Sequence, residues 1–434
     1  MEILSLGEKI KRKRKELNMT LKDLAGDRIT PGQISLVESG RSNPSMDLLE
    51  YLADALDTSV EYLIESEKTQ AEKICLFFEQ TAERNILEGN IVKAEEHIEN
   101  ALYYAEKYNL EYRKAKNFYL RGEIYLGEGD YTLAQQVFLV ANVIFIKTDS
   151  YVDIVNTYLK VGKISLESKA YHSSSSYLKE AEKVYMTNNL TEDMLLGEIH
   201  YYLSKTYFLL DDMRQATNFA FLAKEEFTKV YDKKKYAQTL ALLSEEYKEL
   251  GEIENSIIYS KKSLEIYREI SQENTIAEIE NSLGKLFYEF DNIDESFAHY
   301  EKAKKMRVNS NDNKLVNTLI NICENYIKLK DIDKCYKSLK NIEEQLDSKD
   351  IDRILDYSFL RYRVALLEED IEKVESILLE MLHISEENDL DKRNADICII
   401  LGKFYLDLKN DYEAAKYLDK GISNLKKIGV IKTK

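Results

Sequence analysis

The side chains of this 434-residue chain that could do chemistry are disposed for recognition rather than for bond making. Near the N-terminus Gln33 follows Thr30, Pro31 and Gly32, and a primary amide there can meet adenine with one donor and one acceptor. Leu36 follows three residues later. Basic residues crowd the same stretch. Between positions 9 and 41 nine basic and four acidic side chains give a local +5, so a chain carrying −17 overall carries −22 elsewhere. Lys9, Lys11, Arg12, Arg14, Arg28 and Arg41 are expected to meet phosphates of duplex DNA. Farther along, asparagine recurs at Asn156, Asn281, Asn317 and Asn321, although it is a poor helix-interior residue. With Lys163, Lys205, Gln238, Glu245 and Lys285 these form the expected peptide-contacting set. Amides pair with a peptide's backbone N–H and C=O groups, and charges read its ends.

Chemistry of other kinds has no footing. There is no Walker loop, no GxGxxG after a strand, no GxSxG and no HExxH, so neither a catalytic residue nor a cofactor is expected. The five histidines show no metal spacing, and Cys75, Cys323, Cys335 and Cys398 lack CxxC spacing, which points to buried thiols in a reducing cytoplasm. No apolar run approaches the length of a membrane span.

The elements that must hold these residues are helices. Only Pro31 and Pro44 occur, so residues 45–434 contain no proline, and proline is the strongest breaker of helix interiors. From Thr69 onward a phase-marking residue returns nine times: Ala82, Gly122, Gly162, Ser204, Ser244, Gly284, Cys323, Tyr362 and Gly402. The intervals run from 39 to 42 residues, a period that means stacked supersecondary units. Each unit reads as two amphipathic helices, A and B; in the second, A is 114–126, the turn 127–130 and B 131–146. With the marker as position 8, position 17 is read as apolar throughout, from Ile91 to Tyr412. Position 20 is read as compact, from Ala94 to Ala415. Small side chains at 8 and 20 let the helices cross closely, and an aromatic at 11 fills the space beside the crossing. Positions 2, 5 and 9 share one helix face. Positions 2 and 9 form polar rows there.

Ahead of the array, residues 5–17 read as an amphipathic helix with Leu6, Ile10 and Leu17 inward. Thr20, Ser45 and Ser59 are N-caps, and Pro31 opens a third helix where its missing N–H is harmless. The text Thr20-Leu-x-x-Leu-Ala, Ile34-Ser-x-Val-Glu-x-Gly40 and Pro44-Ser resembles the five-helix helix-turn-helix of phage-repressor type. That resemblance implies that the third helix enters the major groove, with Thr30, Gly32, Gln33 and Leu36 at base edges. The repeat resembles the tetratricopeptide repeat, with a period about six residues longer than the usual 34.

Head and array together resemble the peptide-pheromone receptors of the Rap/Rgg/NprR/PlcR/PrgX family. The fold expected is all-α: a helix-turn-helix domain over 1–66, then a right-handed α-solenoid of about nine tetratricopeptide-like hairpins over 67–434. The resemblance implies a dimeric cytoplasmic transcription regulator switched by a short imported signalling peptide, with no membrane partner. Two alternatives stand beside it: an array that sequesters a protein of response-regulator type, and a phage-type peptide-responsive switch.

Overall fold

The computed structural model describes residues 2–310, 312–347 and 349–430, and within them the chain forms 23 α-helices and no strand. Five short helices form the head: α1 (Leu6–Glu16), α2 (Leu21–Ala25), α3 (Pro31–Glu38), α4 (Met46–Ala55) and α5 (Val60–Ile64). Their starts are fixed locally. Ser5 with Glu8, Thr20 with Asp23 and Thr30 with Gln33 close reciprocal capping boxes, and Ser45 and Ser59 cap α4 and α5. Ile10, Leu24, Ile34, Leu52 and Leu63 meet in a core from which water is excluded. Gly7 permits the tightest crossing. A Cβ there would fall 2.5 Å from the Glu38 carbonyl oxygen, so α1 can rest on the end of α3 only with glycine. Leu17, expected inward, is 44% exposed because α1 ends at Glu16 and Leu17 is its C-cap.

Nine hairpins follow. Four belong to a compact unit that ends at Val230 and includes the head: α6 (Glu67–Leu87) with α7 (Ile91–Lys107), α8 (Glu111–Gly127) with α9 (Tyr131–Lys147), α10 (Tyr151–Glu167) with α11 (Tyr171–Thr187), and α12 (Asp193–Leu209) with α13 (Met213–Lys229). Five form the unit beginning at Tyr231: α14 (Lys233–Glu249) with α15 (Ile253–Glu269), α16 (Glu273–Glu289) with α17 (Ile293–Ser310), α18 (Leu315–Lys328) with α19 (Ile332–Glu343), α20 (Ile351–Leu367) with α21 (Ile371–Glu387), and α22 (Asp391–Asp407) with α23 (Asp411–Lys427). The boundary between the two compact units thus falls after Val230, inside the array.

The period has a plain origin. Most A and B helices are 17 residues long and most turns three, and two of each make 40. The interval of 42 comes from the five residues between α11 and α12. Extra length over the usual repeat thus lies in the helices. The turns use a left-handed residue to stop the helix. After α8, Gly129 has φ +80°, its N–H donates to Leu126 C=O, and Asp130 N–H donates to Tyr125 C=O, which satisfies two of the last carbonyls.

Positions 8 and 20 meet as expected. Ser174 Oγ donates to Gly162 C=O, Ser256 Oγ to Ser244 C=O and Ser296 Oγ to Gly284 C=O, at 2.7–2.9 Å. The glycine at 8 makes room for a large residue at 24. A Cβ on Gly122 would lie 2.7 Å from the Phe138 ring, and one on Gly284 2.5 Å from Tyr300. Where position 8 is Ser204, position 24 is the buried Ala220. Aromatics at 11 stack on position 23, as in Tyr207 on Phe219, Tyr247 on Tyr259, Phe287 on His299 and Tyr405 on Tyr417.

Two departures appear. Tyr362 is half-buried rather than enclosed. In the ninth hairpin Ala414, not Ala415, is the buried residue, and Tyr412 is 79% exposed, because the register runs one residue earlier and places Asp411 at position 17.

Candidate functional site

Burial of Ile34 and Val37 turns Gly32, Gln33, Ser35 and Leu36 to solvent on α3, and Thr30 and Pro31 are exposed at its start. Leu36 is 45% exposed, and a Cβ added at Gly32 would meet nothing closer than Thr30 Oγ1 at 3.8 Å. Gln33 is partly committed. Its Oε1 accepts from Thr30 N–H at 2.9 Å and from Thr30 Oγ1 at 3.2 Å. Bidentate pairing with adenine needs that oxygen, so it requires opening a cap worth about 0.5–2 kcal/mol. The amide's N–H₂ group stays outside this box. Ser35 was missed in the sequence, although the phase set by Ile34 and Val37 would have revealed it.

The expected phosphate contacts divide into two groups. Lys11, Arg12, Arg28 and Arg41 are exposed, Arg12 in surface pairs with Glu2 and Glu16 and Arg28 over the Tyr51 ring. Exposed pairs of this kind contribute about 0–1 kcal/mol and exchange readily for a phosphate. Lys9 and Arg14 are internal, contrary to expectation. Lys9 is 1% exposed, its ammonium donates to Tyr62 C=O and Glu65 C=O at 2.7 Å, and burial holds its pKa below the ordinary lysine value. Arg14 Nε and Nη2 donate to Glu38 at 2.6 and 3.0 Å and Nη1 donates to Met19 C=O, tying α1 to α3. Neither can reach DNA without breaking the head.

In each unit A helices of successive hairpins pack on one another, as α6 on α8 and α10 on α12, or α16 on α18 and α18 on α20. Among the described residues no equally close pair joins successive B helices, which places the A layer on the inner side of each unit's curvature. Much of its polarity is satisfied between neighbours. In the first unit Lys116 pairs with Asp153, Lys160 with Glu123, and Lys163 with Glu198 at 2.5 Å. In the second Lys248 pairs with Glu289, Arg363 with Glu324 and Arg393 with Asp356. Each bridge spans about one period.

Of the expected peptide contacts in the first unit, Asn156 is half-buried on α10, Lys163 also lies over the Tyr202 ring, and Lys205 lies near Tyr201. Those tyrosines were not singled out in the sequence, where tyrosine reads as packing. In the second unit Gln238 is half-buried, and Glu245, Lys285 and Asn317 are exposed. Asn281 and Asn321 come together, Asn321 Nδ2 donating to Asn281 Oδ1 at 3.3 Å between α16 and α18.

The cysteines are all buried, with thiol pKa values pushed up by burial to about 12 for Cys75 and Cys323 and about 11 for Cys335 and Cys398. Among the described residues no group of three His, Cys, Asp or Glu could hold a metal, and no helix is long and apolar enough to cross a membrane.

The head and the array each match a known family. Residues 10–63 match the helix-turn-helix family and residues 237–270 the tetratricopeptide repeat. The transcriptional activator NprA of Geobacillus stearothermophilus is 27% identical over 236 residues, which is 52% of this chain and 57% of that relative, so the match spans little more than half of the relative's length. The apo quorum sensor NprR from B. thuringiensis shares the fold with a TM-score of 0.56 at 14% identity, covering 82% of this chain and 99% of that one. Aspartyl phosphate phosphatase F from Bacillus subtilis does so with 0.51 at 16%, covering 83% and 95%. At these identities the solved structures show a shared helical fold.

Proposed function

We propose that the chain is a cytoplasmic transcription regulator in which residues 1–66 bind duplex DNA and residues 67–434 sense a short imported signalling peptide. In this reading α3 lies in the major groove, with Thr30, Gly32, Gln33 and Leu36 at base edges and Arg12, Arg28 and Arg41 on phosphates. Two copies engage two half-sites. The peptide lies on the A layer against Asn156, Lys163 and Lys205 of the first unit, or Gln238, Glu245, Asn281, Lys285, Asn317 and Asn321 of the second. The bonded pair Asn281 and Asn321 keeps one amide N–H₂ and one carbonyl oxygen for a peptide backbone. At Lys163 a ligand carboxylate must displace Glu198.

The observation that carries this reading is the junction between head and array. Only two residues separate α5 from α6, Ser66 caps α6, and Gln70 holds the N-terminal strap by accepting from Leu4 N–H at 3.1 Å and donating to Leu4 C=O at 2.8 Å. Ile3 packs with Ala71, Cys75, Ala105 and Leu110. A change in hairpin pitch therefore reaches the head without passing through a slack linker. The peptide shifts the balance between pitches only by its differential affinity for them.

Calorimetry of the full chain with synthetic heptapeptides from small genes neighbouring its own tests the sensor, and no binding by any of them refutes it. Gln33→Ala should relax sequence preference, whereas Arg12→Ala should weaken all sites alike and lower the salt slope by about one. Equal losses on specific and random DNA from both would remove Gln33 as reader. If the array instead sequesters a response regulator, Arg12→Ala should weaken DNA binding and leave binding of that partner unchanged, and the partner should compete with the peptide.

A further inference from the structure

In the second unit the B helices of successive hairpins stand apart, and between α15 and α17 this leaves a cleft of about 460 Å³ floored by α16. Its walls are basic. Arg268, near the end of α15, and Lys302 and Lys305 on α17 line it. The repeat supplies its own controls. Arg268 stands at position 32 of its hairpin, and the two lysines at positions 26 and 29 of the next. The junction before holds Thr228, Lys262 and Glu265 at those positions, and the junction after holds Val308, Asn341 and Glu344. None of the other seven junctions has more than one lysine or arginine there. Packing within the array therefore does not demand three cations at this place, and a chain of net charge −17 gathers them at one junction alone.

We propose that this cleft binds a small phosphate monoester with an apolar body. A buried carboxylate aims the guanidinium. Glu280 is 1% exposed, its Oε1 accepts from Arg268 Nη2 at 2.6 Å, and its Oε2 lies 2.6 Å from His299 Nδ1. Its charge is thus answered inside, and Arg268, half-exposed, keeps Nε and Nη1 without an acceptor among the described residues. Lys302 and Lys305 are exposed and make no ion pair among the described residues, whereas Lys304 between them pairs with Glu301. Glu273, exposed at the start of α16, is the one other acid of the lining, so cations stay in excess. Three cations match the three acceptor oxygens of a doubly ionised phosphate, and arginine meets two of them as a fork. The cleft also reaches the first turn of α16, which has no side-chain cap and so keeps N–H groups for an anion. Ile276 and Met306 supply an apolar wall for the ester's body, and the volume lies within the ~300–1,000 Å³ of small-molecule sites. The expected peptide contacts on the same helix, Asn281 and Lys285, do not line it, so the site stands apart from the peptide layer and does not rest on the regulator reading. A bound phosphate would tie α15 to α17, two helices that the repeat leaves unjoined.

Calorimetry of the full chain at physiological ionic strength, with phenyl phosphate, inorganic phosphate and benzoate as probes, reads the site directly. Phenyl phosphate should bind at one site, more tightly than inorganic phosphate, which lacks the apolar body, and than benzoate, which carries a single charge. Lys302→Gln with Lys305→Gln should raise its dissociation constant about a hundredfold, each lysine contributing about tenfold. Lys183→Gln with Lys262→Gln makes the same change of charge at the same two repeat positions elsewhere and should leave binding intact. All four lysines are exposed, so both double variants should melt with wild type when no ligand is present. Phenyl phosphate should then raise the melting temperature of wild type and of the control, and not that of Lys302→Gln with Lys305→Gln. No saturable binding, benzoate bound as tightly as phenyl phosphate, or equal losses in the two double variants overturns the proposal. Because neither peptide nor DNA is present, each of these results is separable from failure of the regulator reading.

Discussion

Arg14→Ala should loosen the head before it affects any grip on DNA. The guanidinium makes three hydrogen bonds, two to Glu38 and one to Met19 C=O, and the two paired side chains are 12% and 8% exposed. Removing one member of a pair so enclosed leaves the other as an unpaired buried charge, at about 3–5 kcal/mol. Total stabilities of domains are about 5–15 kcal/mol, so a 60-residue head loses a large share. Hydrogen exchange read peptide by peptide is the assay, because it separates the head from the helices of the array. Amides of α1 and α3 should exchange about a hundredfold to several thousandfold faster, each 1.4 kcal/mol being a factor of ten. Peptides from the second unit should be unchanged. The double variant Arg14→Met with Glu38→Met should recover much of the loss, since it removes both charges together. Arg12→Ala should leave exchange alone and weaken DNA binding at every sequence. If Arg14→Ala left exchange in the head untouched and lowered the salt slope of DNA binding by about one, the structural assignment would be refuted and Arg14 would be a phosphate ligand.

Gly122→Ala should destabilise the first unit by about 1–3 kcal/mol through overpacking, because its methyl group would enter the Phe138 ring, and thermal unfolding that tolerates the change would contradict the crossing geometry. Glu280 is nearly fully buried, and although burial pushes its pKa up, hydrogen bonds from His299 and Arg268 prevail and hold it below the ordinary value. A carboxyl lowered on folding stabilises the fold above its unfolded pKa of about 4.3 and ceases to do so as pH falls through the lowered value. The stability gap between wild type and Glu280→Gln should thus be widest near neutrality and shrink below pH ~4, and a gap independent of pH would count against the assignment.

What could be read from the residues was whatever is decided within a few positions or repeated many times. Caps at Thr20, Ser45 and Ser59 form over three residues, and Pro31 stands at a helix start, where its missing N–H is harmless. Gly122 and Ala134 are twelve apart on every copy, so nine repetitions outweighed the single slip at Ala415. The misreadings concern partners distant in sequence. Lys9 looked like one more base in a cationic run, yet its acceptors are 53 and 56 residues away. Arg14 finds Glu38 24 residues on. The polar rows were visible, but their mutual pairing was not, since Lys163 meets Glu198 across 35 residues and Arg363 meets Glu324 across 39.

The sequence by itself therefore determined the helical class, the five-helix head, the hairpin period and the residues that let A cross B, because helix phase, capping and steric size act locally. Only the tertiary structure decided which charges are spent inside. It took Lys9 and Arg14 out of the exposed basic set, bound the Gln33 oxygen into its own cap, and paired the A-layer charges across one period. A buried charge must find a partner wherever the chain brings one, and that distance is set by packing rather than by spacing along the sequence.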